Sequence, residues 1–385
     1  MPEHPRRRGR IARRLGVLAG GSLLALAAGE IGLRLSGYEP LPGVIGPRHL
    51  FVRDPELGIR LRPGFRGVHA TREFRVEVAV NSLGLRDREP ETADSERLRI
   101  LSLGDSFAYG CGVRAEETFA RRLEEILSAG RPVRVYNGGA PSYGTRQELT
   151  LLRRLAPALH PDVVLVSFFF GNDLRDNVDP PLTERGGIVM TPYFGARVDE
   201  SFLESLAVGR SDLLTLSILR WMELTEGLEL PPPPTRPPAD PAAVIETPTS
   251  PEVLAIPAPS EVEAAWQATA ASLRELREAA AEAGARLVLI DIPILYQLDD
   301  ALWRRRCERH RLVEAGYDRA AAAKRLAAFA GNLGIPLLDL AAAFAAEPDP
   351  EVLYFPINKH LSAAGHDAAA RAIAGFLASA GVLDR

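Results

Sequence analysis

The sequence predicts a three-layer α/β/α fold, in which helices cover both faces of a mainly parallel sheet of about five strands. From residue 98 to the carboxyl terminus, buried-type apolar runs alternate with segments of helical spacing, which is typical of parallel strands joined by helical crossovers. The chain has 385 residues, of which 46% are hydrophobic. It is therefore long and apolar enough to bury one large core and to carry additional segments.

The predicted strands and helices follow one another in a regular order. Strands are predicted in the runs RLRILSLG, VRVYN, DVVLVSFFF, ARLVLIDI and IPLLDL. Helices are predicted in EETFARRLEEILSAG and TRQELTLLRRLAPAL, near residues 261–283 and 318–333, and over about 363–380. In the first helical run, Phe119, Leu123 and Ile126 recur on one helix face, and Gly130 follows as a stop signal.

The amino terminus carries a basic flank followed by an apolar run. Six arginines lie within the first 14 residues, and residues 15–29 carry no charge. This pattern is typical of a secretory signal or a short membrane anchor, and both send the rest of the chain across a membrane. Cleavage after Ala27 would release the protein, whereas an uncut anchor would bring Glu30 and Arg34 to the outer interface. No cysteine lies near the run, which excludes a bacterial lipoprotein.

The chain is accordingly divided into three parts. Residues 1–36 are interpreted as the signal or anchor, 37–97 as an accessory β-rich segment and 98–385 as the main domain. Apolar residues alternate with charged ones over 74–80, which predicts a half-buried strand or hairpin. An irregular proline-rich insert over about 178–260 interrupts the main domain, and it is either a substrate-shaping element or a tolerated loop.

Charge and cysteine content exclude several classes of partner. The formal net charge of −4 and the pI of about 6.1 do not favour nucleic acid, which binds proteins through an excess of basic residues. The two cysteines, Cys111 and Cys307, are far apart and show no zinc or disulfide pattern. We therefore expect no metal and no other cofactor.

Small and polar residues follow three predicted strands, where the carboxyl edge of a parallel sheet holds its ligands. Ser106 in LGDSFAYG is a candidate nucleophile, and the dipole of the next helix would help to stabilise developing negative charge. Gly139 in NGGAPSYG and Asn172 in FFFGND could donate hydrogen bonds to an oxyanion. His360 in NKHLSAAGH could act as the base, whereas His366 is interpreted as a packing residue. Together these residues predict an acyl-transfer site.

These four segments resemble the sequence blocks of the GDSL-type, or SGNH, hydrolases, and they occur in the right order from about residue 98 onward. The resemblance implies a flavodoxin-like sheet, Ser106 as nucleophile and His360 as base. It also implies an oxyanion hole formed by Ser106, Gly139 and Asn172. The upstream run VAVNSLGLRD is similar to the segment that precedes the catalytic domain in membrane-anchored bacterial members.

One position departs from the family pattern. The family usually has an aspartate two residues before the catalytic histidine, where this chain has Asn358. The family geometry implies that Asn358 points at Nδ1 of His360, where a carboxylate would stabilise the imidazolium. A carbonyl or another acid could serve instead, and Asp291 and Asp339 follow two predicted strands. An acid at such a place is typical of α/β-hydrolases, which are the alternative fold, but the segment around Ser106 lacks the second glycine of their nucleophile elbow.

The sequence is interpreted as an extracytoplasmic serine esterase that acts through an acyl-enzyme on an acylated glycan or lipid ester. It would work at the bacterial cell envelope, in the periplasm or at the cell surface, held to the membrane by its N-terminal helix or secreted. One alternative is an O-acyltransferase of envelope polysaccharide. Another is a catalytically impaired glycan-binding or assembly module of the same fold, which Asn358 favours and the intact Ser106, Gly139, Asn172 and His360 oppose.

Overall fold

The structure is a computed structural model that describes residues 5–36, 46–47, 49–71, 73–90, 97–178, 182–185, 188–190, 211, 213–214, 216–217, 251–356 and 358–383. By its internal contacts the chain forms two compact units. The smaller unit comprises Met1–Arg48 and Thr183–Thr235, and the larger comprises His49–Leu182 and Arg236–Arg385. The predicted proline-rich run at 230–241 lies outside the described residues.

The smaller unit contains the long helix α1 (Pro5–Ser36). Its stretch Gly16–Leu33 spans 18 residues with a mean hydropathy of 1.6, and none of it is buried within the structure. By length and composition this helix could cross a membrane. Near its end, the Glu30 carboxylate accepts hydrogen bonds from Ser211 Oγ at 2.9 Å and from the Leu213 main-chain N–H at 3.0 Å. The insert also forms a short antiparallel pair, Thr183–Arg185 with Ile188–Met190.

The accessory segment of the larger unit forms two antiparallel pairs. The first consists of β1 (Phe51–Asp54) and β2 (Gly58–Leu61), and the second of β3 (Arg66–Ala70) and β4 (Arg75–Ala79). Residues of β4 alternate between buried and exposed, as their sequence pattern predicts. We refer to β3, β4 and the turn between them as the accessory hairpin.

The larger unit is built on a five-stranded parallel sheet, which confirms the predicted fold class. Its strands are β5 (Leu98–Leu103), β6 (Val133–Asn137), β7 (Val163–Phe168), β8 (Arg286–Asp291) and β9 (Leu337–Asp339). They lie in the order β9-β8-β7-β5-β6, and every neighbouring pair is parallel. The order reverses between β5 and β7, and ligands of flavodoxin-like sheets bind at such a switch point.

Helices cover both faces of this sheet and exclude solvent from its central strands. They are α2 (Ser106–Tyr109), α3 (Phe119–Ser128), α4 (Thr145–Leu159), α5 (Asp173–Asp176), α6 (Ser260–Glu282), α7 (Leu295–Leu298), α8 (Asp300–His310), α9 (Ala321–Leu333), α10 (Leu340–Ala345) and α11 (Ala363–Ser379). Helix α3 packs against α11, and α4 packs against α6. Every residue of β7 is buried as a result, so its carboxyl end is held at a fixed position.

A single buried arginine joins the accessory segment to the turn that carries Ser106. Arg86 is only 1% exposed, and its guanidinium donates to the carbonyl oxygens of Tyr109, Gly110 and Val113 at 3.0, 2.6 and 2.6 Å. The same group lies 4.8 Å from the centre of the Tyr109 ring, a cation–π contact. Arg86 therefore satisfies the main-chain acceptors at and beyond the end of α2.

Candidate active site

A tight turn at the end of β5 presents the Ser106 hydroxyl. Gly104 has a φ of 152°, and a Cβ on it would lie 2.7 Å from the Ala108 Cβ, so only glycine fits between the strand and α2. Asp105 then caps α2 by accepting a hydrogen bond from the Phe107 N–H at 2.8 Å. Ser106, the first residue of α2, stands half-buried at the carboxyl end of the sheet.

The structure brings His360 to Ser106 across 254 residues of sequence. Its Nε2 lies 2.7 Å from the Ser106 Oγ, which is hydrogen-bonding distance between a nucleophile and its base. The imidazole ring also packs on the Phe107 ring, with 4.9 Å between the centroids. If Nε2 accepts the serine proton, the neutral ring carries its own proton on Nδ1.

Loss of hydration keeps the His360 ring neutral at physiological pH. Burial of the ring lowers its pKa to about 4, and the nearby charge of His69 acts in the same direction. A neutral imidazole can accept a proton, whereas an imidazolium cannot. His360 therefore has the protonation state that a general base requires.

Of the three predicted oxyanion donors, Gly139 and Asn172 are already hydrogen-bonded within the protein. The Gly139 N–H donates to Asn137 Oδ1 at 3.0 Å, and a Cβ at Gly139 would lie 2.2 Å from the Tyr109 nitrogen. The Asn172 amide donates to Asp176 Oδ2 at 2.8 Å. These bonds would have to be shared or exchanged when an oxyanion binds.

The helix after Ser106 is too short to act as the sequence predicts. Helix α2 has four residues, and a macrodipole needs several turns of aligned peptide units. The first N–H groups of any helix nevertheless lack an intrahelical acceptor. The Ser106 main-chain N–H, rather than a helix dipole, is therefore the donor that this turn offers.

Ser142 is a strained residue in the loop after β6 that carries no recognisable sequence signal. Its φ is 62°, a left-handed conformation that is uncommon for residues other than glycine and that concentrates at functional sites. The loop that contains Gly139 therefore has one residue in a left-handed conformation before α4 begins.

Asn358 contacts the main chain of His360 rather than its ring. The Asn358 Oδ1 accepts a hydrogen bond from the His360 N–H at 3.0 Å, which differs from the geometry implied by the family resemblance. Among the described residues, no side chain or main-chain group hydrogen-bonds the buried Nδ1 of His360. The side chain of Asn358 thus stabilises the shape of the loop.

The two acids at other strand ends have different surroundings from His360. Asp339 caps α10 by accepting a hydrogen bond from the Ala341 N–H at 2.7 Å. Asp291 pairs in register with Asp339 on the neighbouring strand, and burial, reinforced by the charge of Asp339, raises the pKa of Asp291 to about 7. The hydrogen bonds of the described residues connect neither acid to His360.

Three carboxyl groups that interact electrostatically are buried in and around the turn that carries Ser106. Asp105, Glu148 and Asp173 are each 0% exposed. Burial raises the pKa of all three, that of Asp105 to about 7, and the charge of Asp105 reinforces the increase for the other two. No sequence spacing relates Glu148 or Asp173 to Asp105, and the fold brings the three carboxyl groups together.

His366 belongs to the packing of the helices. It is 0% exposed, and its Nδ1 accepts a hydrogen bond from the Phe119 N–H at 3.1 Å. Burial lowers its pKa to about 3, so the ring stays neutral where α3 meets α11. This position agrees with the packing role predicted for it.

Comparison with solved structures gives several similar proteins. A lipase/acylhydrolase from Enterococcus faecalis is 12% identical with a TM-score of 0.40, and the match covers 74% of this chain and 96% of that one. A catalytic mutant of an acetylxylan esterase from Geobacillus stearothermophilus is 13% identical with a TM-score of 0.37, covering 75% and 96%. A psychrotrophic esterase from Pseudoalteromonas sp. is 10% identical with a TM-score of 0.34, covering 73% and 97%. No curated protein matches the sequence.

A family model supplies the assignment. The model of the GDSL-like lipase/acylhydrolase family matches residues 102–368. That range is more than half of the 385-residue chain, and it includes Ser106, Gly139, Asn172 and His360. The chain therefore belongs to the GDSL-like lipase/acylhydrolase family.

Proposed function

We propose that the protein is an extracytoplasmic serine esterase that hydrolyses an acylated glycan or a lipid ester through an acyl-enzyme. The observation that carries this proposal is the distance of 2.7 Å between Ser106 Oγ and His360 Nε2. Membership of a family of lipases and acylhydrolases supports the reaction class. The apolar helix α1 supports a location at the cell envelope, where acylated glycans and lipids are the available esters.

In the first half of the reaction, the Ser106 oxygen attacks the ester carbonyl while His360 Nε2 takes the hydroxyl proton. The carbonyl oxygen becomes an oxyanion, for which the N–H groups of Ser106 and Gly139 and the Asn172 amide are the proposed donors. The intermediate then breaks its bond to the alcohol, which leaves with the proton from His360. Ser106 remains as an acyl ester.

In the second half, a water molecule attacks the acyl carbon while His360 again accepts the proton. The bond between the acyl carbon and the Ser106 oxygen breaks, and the proton returns to that oxygen. The products are the carboxylic acid and the free enzyme. If a carbohydrate hydroxyl took the place of water, the same steps would transfer the acyl group to it.

Hydrolysis of p-nitrophenyl acetate by the purified full chain tests the proposal. We expect release of p-nitrophenol in a reaction that depends on Ser106. Adding a glycan or a sugar alcohol as acceptor separates esterase from transferase, because a transferase would form the acylated acceptor faster than acetate. Absence of turnover with every ester tested would contradict the esterase.

The binding module is the second candidate, and two observations favour it. Asn358, and not an aspartate, stands two residues before His360, and among described residues the His360 Nδ1 has no hydrogen-bond partner. An impaired module would bind acylated glycan without consuming it. Two results together would support this candidate. Ser106→Ala would bind the glycan as well as the wild type does, and the wild type would form no product.

The acid limb of the pH–rate profile is expected to lie well below the usual range for a histidine base. Because burial lowers the pKa of His360 to about 4, the neutral and active form persists as the pH falls from 8 toward 5. The value of kcat/KM should therefore be lost only near pH 4. Its measurement at constant ionic strength, with the unfolding midpoint recorded at each pH, checks this expectation. A limb centred near pH 6.5 would contradict it.

Removal of residues 1–36 is expected to turn a membrane-associated protein into a soluble one that keeps its esterase activity. Helix α1 is exposed over its apolar stretch and contributes no strand to the sheet. Cell fractionation followed by the ester assay checks both parts of the expectation. Recovery of the full-length chain in the cytosolic fraction would contradict it, and the intact mass of the extracted protein distinguishes cleavage after Ala27 from an uncut anchor.

A further inference from the structure

The loop that carries His360 is closed by its own hydrogen bonds at three points. The Phe355 N–H donates to the His360 carbonyl at 2.8 Å, and the Lys359 N–H donates to the Phe355 carbonyl at 3.2 Å. Lys359 has a φ of 60°, which is uncommon for a residue other than glycine. With the Asn358 side chain on the His360 N–H, the loop forms a compact turn whose shape determines where the imidazole points.

The main-chain N–H of Asn358 is bonded outside the loop, to the accessory hairpin. It donates to Glu73 Oε2 at 2.7 Å, across 285 residues of sequence. A bond of this length from an N–H to a carboxylate is charge-assisted and stronger than a neutral one. The carboxylate therefore holds the loop at a position two residues before His360.

Aromatic side chains reinforce this contact. The Phe74 ring lies 5.5 Å from the Phe355 ring, and the His69 ring packs edge-on against Phe74 at 4.9 Å. The accessory hairpin thus contacts the loop at Phe355 and at Asn358.

Thr71 forms hydrogen bonds with Glu73 and Phe74. Thr71 Oγ1 accepts from the N–H groups of Glu73 and Phe74 at 3.1 and 3.3 Å, and the Thr71 N–H donates to the Phe74 carbonyl at 2.8 Å. Behind it, the side chains of Val76 and Val78 are buried. Glu73 is thus presented by a fixed scaffold, as a residue that positions another must be.

We propose that Glu73 is the positioning residue for His360, and that the accessory hairpin is thereby part of the active site. This inference rests on the proposed function. A catalytic base is usually oriented by a third group, and Glu73 orients this one through the Asn358 N–H and the loop rather than through the ring. The hydrogen bond, and not the charge alone, positions the loop. A glutamine at residue 73 can accept the same hydrogen bond, so we expect it to preserve the function of the glutamate.

Three variants of the full chain test this inference by ester hydrolysis. Glu73→Ala should lower kcat by about 10- to 100-fold with little change in KM, because small displacements of a catalytic group have effects of this size. Glu73→Gln keeps an oxygen that accepts from the Asn358 N–H and should stay within about threefold of the wild type. Glu77→Ala, an exposed residue of β4, is the matched control and should be unchanged.

Hydrogen exchange of the peptide that covers residues 355–360 gives a second readout, independent of turnover. Exchange should be faster in Glu73→Ala and unchanged in Glu73→Gln. The inference is overturned if Glu73→Ala keeps the wild-type kcat or changes only KM. It is also overturned if Glu73→Gln loses as much kcat as Glu73→Ala, or if exchange in Glu73→Ala is unchanged. If Glu73→Ala does not fold, Glu73→Asp, whose shorter side chain falls short of the amide, takes its place with the same expectations.

The two readouts separate failure of this inference from failure of the proposed function. If the wild type hydrolyses esters and Glu73→Ala matches it, only the role of Glu73 is wrong. If the wild type hydrolyses none, the proposed function is wrong, and the exchange of the loop still shows whether Glu73 holds it.

Discussion

Ester hydrolysis is expected to fall by about 10⁴-fold or more when Ser106 is replaced by alanine. The hydroxyl supplies the oxygen that bonds to the acyl carbon, and it is the group that hydrogen-bonds His360 Nε2 among the described residues. The side chain is half-buried and contributes little to packing, so the unfolding midpoint should change little. Initial rates with p-nitrophenyl acetate and thermal unfolding of the same preparations measure both effects.

Ser379→Ala is the control for this variant, because Ser379 is an exposed serine at the end of α11. It should keep the activity and the unfolding midpoint of the wild type. Equal turnover by Ser106→Ala and the wild type would mean that another residue, or no residue, carries the acyl group.

Replacement of Arg86 by methionine is expected to destabilise the fold by about 3–5 kcal/mol. Methionine fills much of the same space, but it leaves the carbonyls of Tyr109, Gly110 and Val113 without the guanidinium that now bonds all three. The Gly110 carbonyl keeps the Val113 N–H at 3.3 Å, whereas each of the other two acceptors costs about 1–3 kcal/mol when it loses its donor. Because these carbonyls lie at and beyond the end of α2, activity should fall together with stability.

Chemical denaturation measures this loss, with Arg114→Met as the control. Arg114 pairs with Glu117 at the surface, where its side chain is 62% exposed, and its replacement should cost far less. A free energy of unfolding for Arg86→Met equal to that of the control would show that the accessory segment does not support the Ser106 turn.

The fold was predictable because its signals are local. The predicted run VRVYN has the same bounds as strand β6, and the predicted run TRQELTLLRRLAPAL has the same bounds as helix α4. Apolar spacing and flanking glycines are enough to specify such elements. Helix α8 was not predicted. Its sequence DALWRRRCERH contains few apolar residues, so its periodicity is weak.

The pairing of Ser106 with His360 was predictable, but the hydrogen bonds around this pair were not. Ser106 follows the carboxyl end of β5, where ligands of a parallel sheet bind, whereas His360 lies on the loop before α11; the order of the sequence blocks predicts that the two meet. The direction of the Asn358 side chain, the acceptor of the Gly139 N–H and the contact of Glu73 with the loop depend on tertiary geometry. The last of these joins residues 285 positions apart, and no spacing rule relates them.

The covalent adduct formed with a fluorophosphonate identifies the nucleophilic residue directly. The serine oxygen bonds to phosphorus and fluoride leaves, so the modified residue can be located by peptide mass mapping. We expect a single adduct on Ser106 in the wild type, none in Ser106→Ala, and much slower labelling in His360→Ala, because the histidine accepts the serine proton. Labelling at another residue, or an active enzyme that is not labelled at Ser106, would contradict the claim that Ser106 and His360 form the catalytic pair.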